Sequence, residues 1–199
     1  MTVKKSLKKV IALPMGRISF PFLAKPDTGR EYSDGAWKFD YLIPVETWAK
    51  EGKRVSDAIL EVARDLSGNP KLKFEEIKKH PIKELGKDPK TDPKMKDYVM
   101  MRCKNKNNQP LIVDVNKKEM TQEQIGKIKG GDWCEAVVTI YSYTQSGGGV
   151  TFGLDLVRYI KPGEPFGSGA AKHLGLLDDI EVTAEGFSDE ELAELAGGK

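Results

Sequence analysis

The chain has 199 residues, only two cysteines and two histidines, and 39% hydrophobic residues. That supports one core of about 150–170 residues plus a tail, without a disulfide framework or metal cluster. No apolar run approaches the ~20 residues that span a bilayer, and the basic start MTVKKSLKKVIAL lacks the long apolar stretch of a signal peptide, so a cytoplasmic protein with no membrane partner is expected.

The net charge of +2 hides an asymmetry. Residues 1–173 carry 31 Lys and Arg against 22 Asp and Glu, whereas residues 174–199 carry eight acids and one base, Lys199. A basic body with an acidic tail suits a binder of polyanions that carries a competing polyanion of its own. An ordinary solvated tail is the alternative.

In chain order, Lys8 to Leu13 and Arg17 to Leu23 are apolar-rich segments broken by Pro14 and Gly16, which predicts a bent first strand or a strand pair. A turn cluster follows at Lys25 to Arg30. Trp37, Phe39, Tyr41 and Ile43 alternate with Lys38 and Asp40, a strand period, and Pro44 ends it. Val55, Ala58, Ile59, Val62, Ala63 and Leu66 fall on helical spacing, and Gly68 with Pro70 stops that helix. Lys71 to Lys96 is lysine-rich and broken by Pro81, Pro89 and Pro93, an inserted loop with at most a helical turn or two.

Asp97 to Lys104 and Gln109 to Val115 read as a hairpin across Asn105 to Asn108. Thr121 caps a short helix to Ile128. Two long strands follow, Asp132 to Thr144 and Val150 to Ile160, joined through Gly147 to Gly149. Pro162 to Gly175 is a Gly/Pro/Ala linker. Many short strands, one main helix and long loops favour a mainly β small barrel over a sandwich. The expected division is a nucleic-acid-binding domain over 1–167, with 71–96 as its insertion, and a linker and acidic tail over 168–199.

Chemistry then singles out faces. On Asp132 to Thr144, Cys134, Ala136, Val138 and Ile140 suit a barrel interior. Trp133, Glu135, Val137, Thr139, Tyr141 and Tyr143 form the other face, with aromatics among polar groups. Rings beside cations make a single-strand platform, because bases of any identity stack at about 1–3 kcal/mol each while cations follow phosphates. Packing of Trp133 and Tyr143 under a loop is the alternative. Trp37, Phe39 and Tyr41 offer a similar row, but their apolar density makes at least two of them core. Tyr98, Met100, Arg102 and Lys104 share a face, so Tyr98, Arg102 and Lys104 are groove candidates. Arg17 joins this set, and so does Arg158, whose direction parity leaves open.

Other motifs fail. Gly147 to Gly149 opens no helix, so it is a hairpin loop and no phosphate cradle. Asp88, Asp92 and Asp97 lack ligand spacing. Neither cysteine, nor any serine, sits in a nucleophile context, and His80 and His173 are isolated. No catalytic residue, cofactor or metal is expected.

The segments Gly16 to Phe20, Phe39 to Pro44, Gly130 to Tyr143, Gly149 to Leu154 and Lys161 to Gly167 resemble a phage family of single-stranded DNA-binding proteins. The resemblance covers most of residues 10–167, the last two strands and the Gly-Glu-Pro-Phe-Gly ending being its most specific part. It implies an OB-fold related to replication proteins of tailed phages, whose acidic C-terminal tails contact replication partners. Two departures stand out: 71–96 has no counterpart, and the tail closes on Leu195-Ala-Gly-Gly-Lys199 where related proteins end on an acidic run with a terminal aromatic.

In the tail, Ser188 and Glu191 form a capping-box pattern, with Phe187 and Leu192 at staple positions. Phe187, Asp189, Glu190, Glu191, Leu192 and Leu195 are therefore the expected partner-binding residues. The expected function is non-sequence-specific coating of exposed single-stranded DNA during phage replication or recombination. The alternatives are a general binder that also holds duplex, and a non-catalytic adaptor of a replication complex. Expected partners are single-stranded DNA, duplex DNA, replication or recombination proteins through the tail, and a second copy of the chain.

Overall fold

The structure, a computed structural model, describes residues 6–29 and 31–166. The expectations placed on the linker and acidic tail, including Phe187, Asp189, Glu190, Glu191, Leu192 and Leu195, lie outside the described residues.

The first barrel strand is bent, as Pro14 and Gly16 predict. β1 (Lys8–Ala12) pairs antiparallel with β7 (Trp133–Tyr143) from Lys8↔Tyr141 to Ala12↔Val137. The chain breaks at Pro14, which has no N–H to give. It resumes along the same edge as β2 (Gly16–Phe22), pairing Gly16↔Cys134 and Arg17↔Trp133. The Tyr41 hydroxyl sits 2.8 Å from the Pro14 carbonyl and 2.9 Å from that of Cys134, fastening the bend. Only glycine fits at position 16, where a Cβ would lie 2.7 Å from the Leu42 oxygen.

β2 pairs with β3 (Trp37–Pro44), β3 with β5 (Tyr98–Asn105), and β5 runs parallel to β8 (Gly149–Lys161). β8 pairs with β7 over its whole length. The order β7-β2-β3-β5-β8, with β7 joined to β8, closes a five-walled barrel. Its interior holds Ile18, Phe39, Tyr41, Ile43, Met101, Cys103, Cys134, Val138, Ile140, Phe152 and Leu154, all buried. Of the row Trp37, Phe39 and Tyr41, the last two are thus core, as apolar density predicts, and Ile43 joins them. Each such side chain contributes about 1.5–3 kcal/mol by leaving water.

α2 (Lys53–Ser67) buries Val55, Ile59, Val62 and Ala63 and packs on β1, β7 and β8. Gly68, left-handed at φ 66°, ends it as predicted. α3 (Gln122–Gly126) carries the expected Thr121 cap, with Gln124 completing a capping box. α1 (Val45–Glu51) was not expected: Pro44 ends the strand but also opens this short helix.

The hairpin expected across Asn105 to Asn108 does not form. β6 (Leu111–Val113) continues in the direction of β5, and both lie parallel to β8 along one edge. The asparagines make a bump and no reversal. Asn105 donates from its side chain to Leu154 O and accepts from the N–H groups of Asn107 and Asn108, so the chain steps out and rejoins the same edge. The insertion 71–96 is largely irregular, as expected, but carries three single 3-10 turns (Phe74–Glu76, Leu85–Lys87 and Pro93–Met95) where at most a turn or two was expected. It also supplies β4 (Ile82–Glu84), which pairs with β5 where β8 does not reach, and it buries Ile77 and Leu85.

Candidate nucleic-acid interface

Counting β1 and β2 as one wall, residues 23–36 join the first and second barrel strands and residues 144–148 join the fourth and fifth. Barrels of this kind hold oligonucleotides on the face of strands two and three and between those two loops. A groove of about 890 Å³ lies beside the second loop, on the outer faces of β7, β8 and the end of β5. Lys8, Lys79, Lys104 and Lys106 line it, against a single carboxylate, Asp155. Asp155 accepts from the Thr139 hydroxyl at 2.6 Å.

Tyr141 and Tyr143 form the aromatic part of the groove. Each ring lies across a glycine of β8. A Cβ at Gly153 would meet the Tyr141 ring at 3.2 Å, and one at Gly149 would meet the Tyr143 ring and hydroxyl at 2.7–3.0 Å. The missing side chains seat the rings against backbone, an arrangement that stabilises glycine in a strand and holds the rings still. A second, smaller recess shares Lys79, Tyr143 and Thr151 with the groove and extends it to Arg102, His80 and Lys83.

Carboxylates hold the cations on the face of β3 and β5. Arg102 grips Asp40 with two bonds, Nε–Oδ1 at 2.7 Å and Nη2–Oδ2 at 3.1 Å. Asp34, on the loop between the first two barrel strands, takes Lys38 at 2.8 Å and Lys104 at 3.2 Å, and Lys38 also reaches Asp27 at 2.7 Å. Burial pushes the Asp34 carboxyl up, but bonds and charge from Lys38 and Lys104 outweigh it and hold the group at about 2. These pairs keep the cations extended along the face, where phosphate is a competing acceptor.

Of the predicted site residues, the structure brings Tyr141, Tyr143 and Lys104 together in the groove and Arg102 into its extension. Arg17, Tyr98 and Trp133 meet elsewhere, at the other end of β5, about 20 Å along the strand from Lys104. The Arg17 guanidinium donates to Gly131 O at 2.8 Å, to the Tyr98 hydroxyl at 3.0 Å, and to Glu164 O. It also sits 4.1 Å from the ring centre of Phe166, 5.5 Å from Trp133 and 5.9 Å from Tyr98. Arg158 points away from the groove and pairs with Glu135, its Nε 2.8 Å from Oε2, in a cleft lined by Leu13, Pro14 and Leu156.

Lys8 and Lys106 were not foreseen, and Lys79 was not singled out from the lysine-rich insertion. Lys8 lies directly opposite Tyr141 in the β1–β7 ladder. That pairing is a long-range fact, invisible to periodicity along either strand alone. Lys79 comes from the insertion, whose fold has no signal in its composition, and donates to Ser146 O across the groove. Cys103 and Cys134 are buried free thiols, and burial pushes both up and out of the nucleophilic range.

Comparisons with known proteins bear on the fold and the family. Protein p50 of Acyrthosiphon pisum secondary endosymbiont phage 1 is 25% identical over 179 residues, covering 85% of this chain and 92% of that protein. The structure of the single-stranded DNA-binding protein from bacteriophage Enc34 in complex with ssDNA is similar with a TM-score of 0.67 at 22% identity, covering 79% of this chain and 89% of that one. The single-stranded DNA-binding protein gp2.5 encoded by bacteriophage T7 is similar with a TM-score of 0.57 at 19% identity, covering 92% of this chain and all of that one. The sequence pattern of the family described as "Enterobacter phage Enc34, ssDNA-binding protein" matches residues 8–184, and the chain belongs to that family.

Proposed function

We infer that this chain is a phage single-stranded DNA-binding protein that coats exposed strands during replication or recombination, without sequence preference and without chemistry. Family membership supports the class of ligand. The observation that carries the reading is the groove, where two glycine-seated tyrosines stand among four lysines and one carboxylate. Ring faces accept any base, and lysines contact phosphate without reading sequence. In this reading Tyr141, Tyr143, Lys104 and Arg102 touch DNA, joined by Lys8, Lys79 and Lys106. Arg17, with its donors shared among protein acceptors, and Arg158, paired with Glu135, hold the barrel together. Tyr98 and Trp133 position the Arg17 guanidinium.

The acidic tail recruits replication or recombination proteins in the same reading. Duplex is a weaker ligand than single strands, because it keeps its bases stacked on one another and offers the lysines only phosphate. Among the described residues no helix is long and apolar enough to cross a membrane.

Titration of labelled oligo-dT and of a matched duplex across a salt series tests this. Tight oligo-dT binding that weakens steeply with salt, and exceeds duplex binding at every salt concentration, is the expected result. Equal affinity for both forms, or affinity independent of salt, would overturn it.

A further inference from the structure

Phe20 is out of place by every ordinary rule for a phenylalanine. It is 71% exposed. Its φ is +50°, a left-handed conformation that costs a bulky residue energy. Four non-glycine residues among those described share that region: Phe20, Lys79, Lys117 and Ser146. Lys117 has a local reason, since it closes a tight turn by bonding back to Asp114 O at 3.0 Å. Lys79 and Ser146 bond to each other at the groove wall. Phe20 sits in a strand, at a bulge where the β2–β3 register slips between Ser19 and Phe22. Bulges re-aim side chains, and strain of this kind collects where a surface meets its ligand.

The sheet register shows what that surface is. Gly153 of β8 pairs with Lys104 of β5, Lys104 with Lys38 of β3, and Lys38 with Phe22 of β2. The Tyr141 ring lies across Gly153. One straight row therefore crosses the barrel as ring, cation, cation, ring, and Lys38 Nζ stands 5.8 Å from the Phe22 ring centre. The row spans three strand spacings, about 14 Å. Phe20 stands at its far end, two residues from Phe22.

We propose that Phe20 is a second base-stacking station, set at the opposite end of the Lys104–Lys38 row from Tyr141 and Tyr143. A bound strand then leaves the tyrosine groove, passes its phosphates over Lys104 along the row that Lys38 continues, and lays a further base on the Phe20 ring. The strained backbone holds the ring out in solvent for that base. The assignment rests on the single-strand reading above and extends the DNA path onto a flank that the groove does not reach.

The experiment measures binding of labelled oligo-dT by the full chain and by Phe20→Gly, Phe20→Leu and Phe20→Trp, at two lengths, about 4 and about 12 nucleotides, bracketing the site sizes of such barrels. Unfolding midpoints are taken on the same samples. Glycine accepts the left-handed backbone, so Phe20→Gly is expected to keep or raise the midpoint. It is expected to lose about tenfold in affinity for the long oligomer, with an unchanged salt slope and parent-like binding of the short one. Phe20→Trp is expected to bind both like the parent.

Should Phe20→Gly lower the midpoint, Phe20→Leu carries the test, since it keeps apolar bulk and loses the ring face. Parent-like binding of the long oligomer by folded Phe20→Gly, or by Phe20→Leu, overturns the proposal. An equal loss at both lengths overturns the claim of a separate station. If the parent itself binds neither length, the single-strand reading has failed, and not this assignment within it.

Discussion

Two clusters of this barrel both set aromatic rings beside cations, and they do different things. At one, Arg17 meets Tyr98, Trp133 and Phe166; at the other, Tyr141 and Tyr143 meet Lys8, Lys79, Lys104 and Lys106. In the first, a single guanidinium gives its N–H groups to Gly131 O, Glu164 O and the Tyr98 hydroxyl, and the rings pack about it. That is a rivet between β2, β5 and the segment after β8. In the second, cations outnumber carboxylates, and the rings rest on glycine with no side chain above the strand. Aromatics interleaved with basic residues are therefore not by themselves a nucleic-acid surface. What separates the two is how many donors the protein has already satisfied.

The comparison breaks most visibly at the rivet. Arg17→Ala leaves Gly131 O and Glu164 O without their charged donor and empties the space between three rings. Loss of about 2–3 kcal/mol of stability is expected by denaturant unfolding. The salt slope of DNA binding by the folded fraction should stay at the parent value, because Arg17 contacts no phosphate in this account.

The lysines should behave in the opposite way. Lys8→Ala and Lys79→Ala are expected to leave unfolding midpoints nearly unchanged and to flatten the dependence of log K on log salt by about 0.7 each, the counterion released per phosphate on a single strand. An unchanged slope in both would remove them from the DNA path.

Asp34→Asn sharpens the contrast from the acid side. It frees Lys104 from its carboxylate and leaves Lys38 with Asp27 alone, so oligo-dT affinity at low salt should rise by a few-fold, the scale of an exposed ion pair. Stability carries a sign as well. The Asp34 carboxyl sits at about 2 when folded, below the ordinary ~3.9 of the unfolded chain. Its pairs therefore stabilise the fold above about pH 4, and the contribution fades as pH falls towards 2. The gap in unfolding midpoint between parent and Asp34→Asn should close over that same interval.

The sequence carries most of the barrel. Alternation places Cys134, Ala136, Val138 and Ile140 inside and their neighbours outside, and the structure agrees residue by residue. Pro14 and Gly16 announce the bend, and Thr121 announces α3. What is hidden is pairing at a distance. Asn105 to Asn108 has the composition of a reversal, yet Asn105 bonds to Leu154 O and returns the chain to the edge it left. Parity puts Tyr141 outward but cannot say that Lys8 lies opposite it, or that Gly153 lies under its ring. For the same reason Arg17 reads as a groove cation until its acceptors are seen, and Arg158 stays undecided until Glu135 is found beside it.

The central claim is that the glycine-seated tyrosines are the surface on which bases stack. The most direct measurement is the affinity of Tyr141→Ala/Tyr143→Ala for labelled oligo-dT across a salt series, with the unfolding midpoint taken on the same sample. The account predicts a loss of tenfold or more at every salt concentration, a salt slope parallel to that of the parent, and a folded protein. Parent-like affinity in the folded double variant would contradict it.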